Sequence, residues 1–143
     1  MNTPDPVTAA NQLLDQMEQA YVQKNIPFIT SLHEDPVVAV DITRNLYEFF
    51  TPQRLRQELE KALGPLTEIN TVFTDREIQS EKDTIIIHAN RTVGAKEIPF
   101  VAKVNLLMVL KQSGMGQAPW NYKITSMTVL KEEYIPVADT LAP

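Results

Sequence analysis

The chain has 143 residues, 43% of them hydrophobic and 22% charged, with a formal net charge of -5 and no cysteine. That length suits one domain over residues 1–143 with a single core, because a chain of this size buries about 68–70% of its extended surface. The acidic balance, with 13 Lys and Arg scattered along the chain, excludes a phosphate-binding surface and hence a nucleic-acid partner, and the lack of Cys excludes disulfides, thiol catalysis and thiolate metal sites.

Residues 1–6 have neither a basic nor an apolar leader segment. No run reaches the roughly 20 apolar residues that span a bilayer. A cytoplasmic protein without a membrane partner is expected, with loosely ordered ends at about 1–5 and 135–143.

Asp5 or Thr3 can cap a first helix, each with a proline behind it. Ala10, Leu13, Leu14, Met17 and Tyr21 recur at helical steps, leaving Asp15, Gln16, Glu18 and Gln19 toward water. Phe28, Ile29 and Leu32 stripe a short second helix that stops before Pro36. Val37–Val40 reads as a strand ending at Asp41, and Leu46–Phe50 as its hairpin partner across a turn at Arg44-Asn45. Thr51-Pro52 starts a third helix striped by Leu55, Leu59 and Leu63, and Gly64-Pro65 ends it with a left-handed glycine cap.

From Leu66 the period changes to two. Strands are expected around 69–74, over Thr84–Val93, Ile98–Gln112 and Trp120–Lys131, with turns at 81–83, at Gly94 and over 113–119. In the third of these, Phe100, Ala102, Val104, Leu106, Met108 and Leu110 share the face expected to meet the helices. The other face mixes Val101, Leu107 and Val109 with Lys103, Asn105 and Lys111. That is too apolar for solvent alone, so a homodimer through the sheet is expected.

The candidates for chemistry are few. His33-Glu34-Asp35 reads as a solvated helix end, since adjacent helical residues do not face one point. Gly114-Met115-Gly116 is a turn with no helix behind it to hold phosphate. His88, in a strand, reads as a hydrogen-bonded or surface histidine. Asn90-Arg91-Thr92 matches a glycosylation sequon but lies in a strand. Asp41 closes a strand before a turn, where a carboxylate either caps its own backbone or is buried for function.

The order helix, helix, strand pair, helix and four strands resembles the nuclear-transport-factor-two-like, or cystatin-like, superfamily. The residues that carry the resemblance are Tyr21-Val22-Gln23-Lys24-Asn25, Phe28–Leu32, Glu34-Asp35-Pro36-Val37-Val38, Thr51–Leu63 and Pro119-Trp120-Asn121-Tyr122-Lys123-Ile124. The opening Met1-Asn2-Thr3-Pro4, the spacing from Leu32 to Asp41, and Ser126-Met127 are similar to the ketosteroid-isomerase and SnoaL-like branch. The resemblance implies an α+β fold, a curved antiparallel sheet forming a cone around three helices. It also places Asp41 where those enzymes keep a general base, which must sit beside an acidic C–H in a dry pocket.

The position of the oxyanion-donor tyrosine is Met17, which cannot donate, and Tyr21 lies one turn further on. The second donor position falls near Asn105, on the face opposite the core. The expected ligand pocket is lined by Leu13, Met17, Tyr21 and Phe28 from the helices. Phe100, Val104, Leu106 and Trp120 complete it. The expected function is binding of a small hydrophobic molecule there, with isomerase- or lyase-like proton transfer by Asp41 and no cofactor or metal. The alternative is a non-catalytic dimeric interaction module whose cavity is filled by its own side chains.

Overall fold

In the computed structural model, residues 5–112 and 122–137 are described. Trp120, the turn at 113–119 and most of both ends lie outside them. Three helices form in the same way, each with a side-chain cap and a proline within the first two positions. Asp5 accepts from Thr8 N at 3.0 Å and opens α1 (Pro6–Val22). Asn25 accepts from Phe28 N at 3.3 Å and opens α2 (Ile26–Ser31). Thr51 accepts from Arg54 N at 3.2 Å and opens α3 (Pro52–Leu63). The cap satisfies a backbone N–H that the first turn leaves unpaired, and the proline fixes φ where no donor is needed.

Six strands follow or interleave: β1 (His33–Asp41), β2 (Leu46–Phe50), β3 (Asn70–Glu81), β4 (Thr84–Gly94), β5 (Phe100–Gln112) and β6 (Tyr122–Pro136). They make one sheet in the order β2-β1-β6-β5-β4-β3. The fold is the expected α+β cone, an open curved sheet with its helices on one side. One detail departs from a wholly antiparallel sheet: β1 runs parallel to β6, Ala39 opposite Met127 and Asp41 opposite Val129. β1 and β6 are separated in sequence by β2, α3 and three strands of the meander, so β1 enters beside the last strand with the same direction instead of through a hairpin. β3 and β4 slip register between Thr74 and Glu77, and β5 and β6 slip between Asn105 and Leu106 and again between Val109 and Leu110. Such bulges bend strands and increase their twist, which curls this sheet.

Three local expectations are corrected. The helix-end reading of His33-Glu34-Asp35 gives way to strand, because α2 stops at Ser31. Gly64 is right-handed, with φ -51° and ψ -48°. Glycine is required there for space, since a Cβ would lie 2.6 Å from Glu60 O. β6 continues past Lys131 to Pro136, which pairs with Phe100.

The concave face carries the core. Ile85, Ile87 and Ala89 of β4 and Leu106, Met108 and Leu110 of β5 pack with Ala9, Ala10, Leu13, Leu14 and Met17 of α1. Glu18 was expected in water but clamps α1 to β3. Its Oε2 accepts from Phe73 N at 2.7 Å and from Arg76 Nη2 at 3.2 Å. Arg76 also donates to Asn11 Oδ1 at 2.9 Å and pairs with Asp15 at 2.9 Å. Glu18→Ala strands the Phe73 backbone donor and takes one of two carboxylates from the half-buried Arg76 guanidinium, and should cost about 2 kcal/mol in urea unfolding. Glu18→Gln, which keeps an acceptor, should cost clearly less; equal losses would show that the hydrogen bonds do not matter.

Candidate ligand groove on the concave face

Strand alternation decides what β1 offers. Val37 is buried in the core, so Ala39 and Asp41 face the same side. Their partners on β2 are Phe50, Glu48 and Leu46. Met127 and Val129 of β6 complete the surface. Together these residues line a groove of about 230 Å³ at the β2–β1 edge of the concave face, apolar except for Asp41 and Glu48. Arg54, from the first turn of α3, ion-pairs with Glu48 and lies 4.7 Å over the Phe50 ring.

Asp41 does two jobs at the end of β1. Its carboxylate caps the short 3₁₀ turn Ile42–Arg44, accepting from Thr43 Oγ1 at 2.5 Å and Arg44 N at 3.3 Å. It also pairs with Arg44 Nη1 at 2.7 Å, and its side chain is 15% exposed. Arg44 reaches on to Glu132 at 2.8 Å and to the Tyr134 hydroxyl at 2.8 Å, and that hydroxyl donates to Glu132 at 2.5 Å. Burial alone would push the Asp41 carboxyl up. The hydrogen bonds from Thr43 and Arg44, with the guanidinium charge, outweigh it and hold the group below its ordinary value. Arg44 is raised, chiefly by its hydrogen bond to Asp41.

The other expected site residues are not gathered around Asp41. Leu13 and Met17 have no exposed surface and Leu106 has 1%, so no water-sized space touches the two helical residues. They are packed core and do not line an open pocket. Tyr21, Phe28 and Val104 are half-buried and pack against that core, as do Phe50, Leu55 and Met127. Phe100 meets Tyr134 edge-on, ring centres 5.0 Å apart. Trp120 lies outside the described residues.

Asn105 is on the opposite face of the sheet from Asp41. It accepts from His88 Nε2 at 3.0 Å and donates to Asn90 Oδ1 at 2.9 Å. Period two forces this, since its neighbours Val104 and Leu106 face the core. No bulge in β4–β5 pairing reverses it. Tyr21 stands under a guanidinium instead, with Arg91 4.2 Å above its ring. The two intended donors therefore form no oxyanion hole with Asp41.

Sequence reasoning passed over Arg44, Glu132 and Tyr134. Arg44 carried a signal, a cation three residues after a carboxylate at a turn. Glu132 and Tyr134 carried none, because they fall where the last strand was expected to have ended.

On the outer face a second groove of about 250 Å³ is lined by Glu77, Gln79, Ile86, His88, Leu107 and Leu130. His88 is raised above its ordinary value, first by its hydrogen bond to Asn105 and further by Glu77 at 3.4 Å. Among the described residues no group of three His, Asp or Glu is gathered to hold a metal, and no helix is long and apolar enough to cross a membrane.

No family model matches the chain, and no curated protein matches it in sequence. Solved structures do match in fold. An NTF2-like protein of unknown function from Pseudomonas putida is 15% identical, with a TM-score of 0.71 over 85% of this chain and 83% of that one. The CaMKII hub of S. rosetta is 14% identical, with a TM-score of 0.71 over 94% and 99%. A ketosteroid isomerase candidate from Parabacteroides distasonis is 13% identical, with a TM-score of 0.64 over 94% and 90%. At these identities the likeness concerns the fold, which is nuclear-transport-factor-two-like.

Proposed function

We propose, from the premise of that fold, that this chain binds a small, mainly apolar molecule in the concave groove, with Asp41 as its polar anchor. The observation that carries the reading is one carboxylate at the edge of an otherwise apolar hollow of about 230 Å³. That volume lies below the roughly 300–1,000 Å³ of drug-sized pockets, so the ligand is on the scale of a substituted single ring. Ionised Asp41 serves as a hydrogen-bond acceptor for a ligand hydroxyl or N–H. Isomerase- or lyase-like proton transfer is the further step this site would take. It demands a ligand C–H acidic enough for a base whose pKa lies below the ordinary value, whereas a base tuned for neutral pH is raised.

The test is a thermal-shift screen of phenols and cyclic ketones against wild type and Asp41→Asn. A phenol that stabilises wild type should stabilise the variant markedly less. Equal shifts would remove Asp41 from the site, and no shift across the panel would sink the groove itself. The variant also has a pH signature. A depressed folded pKa stabilises above the unfolded value of 3.8 and loses that contribution as pH falls through the folded value. Wild type and Asp41→Asn should therefore differ most near neutral pH and converge in acid.

A second reading has its own support, namely the sealed interior at Leu13 and Met17 and an outer face that stays apolar. Tyr47 and Phe49 of β2 are 64% and 54% exposed there, their rings 5.4 Å apart. On this reading the chain is a non-catalytic homodimer joined through the outer face. Leu107→Glu should then halve the mass seen by light scattering, and an unchanged mass would end the idea.

A further inference from the structure

Arg91 faces inward from β4, and unlike Arg76 of β3 it meets no carboxylate among the described residues. It lies opposite Phe73 on β3 and Val104 on β5. Both neighbours face the core, so the guanidinium does too. Its Nε donates to Thr71 Oγ1 at 2.9 Å, and its carbon stands 4.2 Å over Tyr21 and 5.5 Å from Phe73. Arg44, Arg54 and Arg76 all meet carboxylates. Arg91, itself half-buried, meets none among the described residues, and its two terminal nitrogens make no hydrogen bond there. His33, which feels the charge of Arg91, adds no anion, since an imidazole is either neutral or cationic.

A partly desolvated charge is costly unless paired, and two aromatic faces offset only part of that cost. The free edge of the guanidinium fork matches the two oxygens of a carboxylate. Arg91, Val104 and Glu132 stand in one row across β4, β5 and β6. That row meets β6 at Glu132, two strands or roughly 10 Å from Arg91, and Val129 lies in the row of Leu106 and Ala89, two residues along β4 toward the groove. Half-buried Phe28, Phe50, Leu55, Val104 and Met127 pack against the same core that Arg91 faces.

We propose that Arg91 receives the carboxylate of a small amphipathic acid whose apolar body lies along these side chains toward the groove. The proposal rests on the groove reading above and adds the ligand's charge, its polarity and the end that holds it.

The probes are 4-hydroxyphenylacetate and its neutral amide, titrated calorimetrically against wild type, Arg91→Gln and Arg91→Lys. The acid should bind wild type more tightly than the amide. Arg91→Gln should weaken the acid by about tenfold or more while leaving the amide unchanged, and Arg91→Lys, which keeps the charge without the fork, should fall between. Binding of the acid should also weaken with added salt. Equal affinity for acid and amide in wild type and both variants would overturn the role of Arg91 and leave the groove standing. No binding of either compound would overturn both readings. Asp139 is the only Asp or Glu outside the described residues. Coupling between Arg91→Gln and Asp139→Asn in unfolding free energy would also overturn the proposal, because the cation would then have an internal partner. Arg91→Lys provides the comparison should Arg91→Gln not fold.

Discussion

Leu13→Ala is expected to lower the unfolding free energy by about 3 kcal/mol. Leu13 sits on the buried face of α1 with no exposed surface. It is packed in the cluster that holds Met17, Ile87, Leu106 and Met108. Removing its branched end loses transfer free energy and leaves a hole that the surrounding strands cannot collapse to fill. Val22→Ala on the same helix is the control, since Val22 is 52% exposed and should change stability by no more than about 0.5 kcal/mol. The cavity would be dry and apolar, so benzene should restore part of the loss in the variant and do nothing for wild type. A cost below about 1 kcal/mol would mean that free space already surrounds Leu13, and the interior would again be the place to look for ligand.

Acid should destabilise the protein well before its carboxylates titrate, and His33 is the reason. Its Nδ1–H donates to Ile29 O at 2.8 Å. Burial lowers the imidazole from 6.5 to about 4, the hydrogen bond opposes this, and the charge of Arg91 lowers it further. With the folded value depressed, the unfolded chain binds more protons between those limits, so stability rises with pH there. The contribution is complete above 6.5 and is lost as pH falls toward 4. The loss amounts to up to about 3 kcal/mol. The readout is the difference between wild type and His33→Gln in urea unfolding at pH 7, 6, 5 and 4, which subtracts the other titrating groups. Gln can keep a donor toward Ile29 O without charging. The two curves should diverge as pH rises, and parallel curves would show that His33 is solvated after all.

Much of this molecule was legible residue by residue. The cap at Asp5, the helix start at Thr51-Pro52, the stripe of Leu13, Leu14 and Met17, and the alternation along β5 are local patterns, and each gave the observed element and face. The parity of β5 already set Asn105 on the face away from the core, although the resemblance pulled it toward a donor role. What could not be read this way depends on pairing across distance. Glu18 lies on the polar flank of α1 by period, yet the bulge between Thr74 and Glu77 brings Arg76 back to meet it. Glu132 and Tyr134 join Arg44 only because β6 continues to Pro136.

The sequence by itself determined the order of elements, their inward faces and the position of Asp41 at a strand end, because propensity, capping and periodicity act over a few neighbouring residues. Only the tertiary structure decided that the core is filled around Leu13 and Met17 while a groove stays open beside β1 and β2, that Asp41 is paired with Arg44, and that Arg91 faces inward without a carboxylate among the described residues. Those outcomes depend on summed side-chain volume and on strand register between distant segments, neither of which any local pattern encodes.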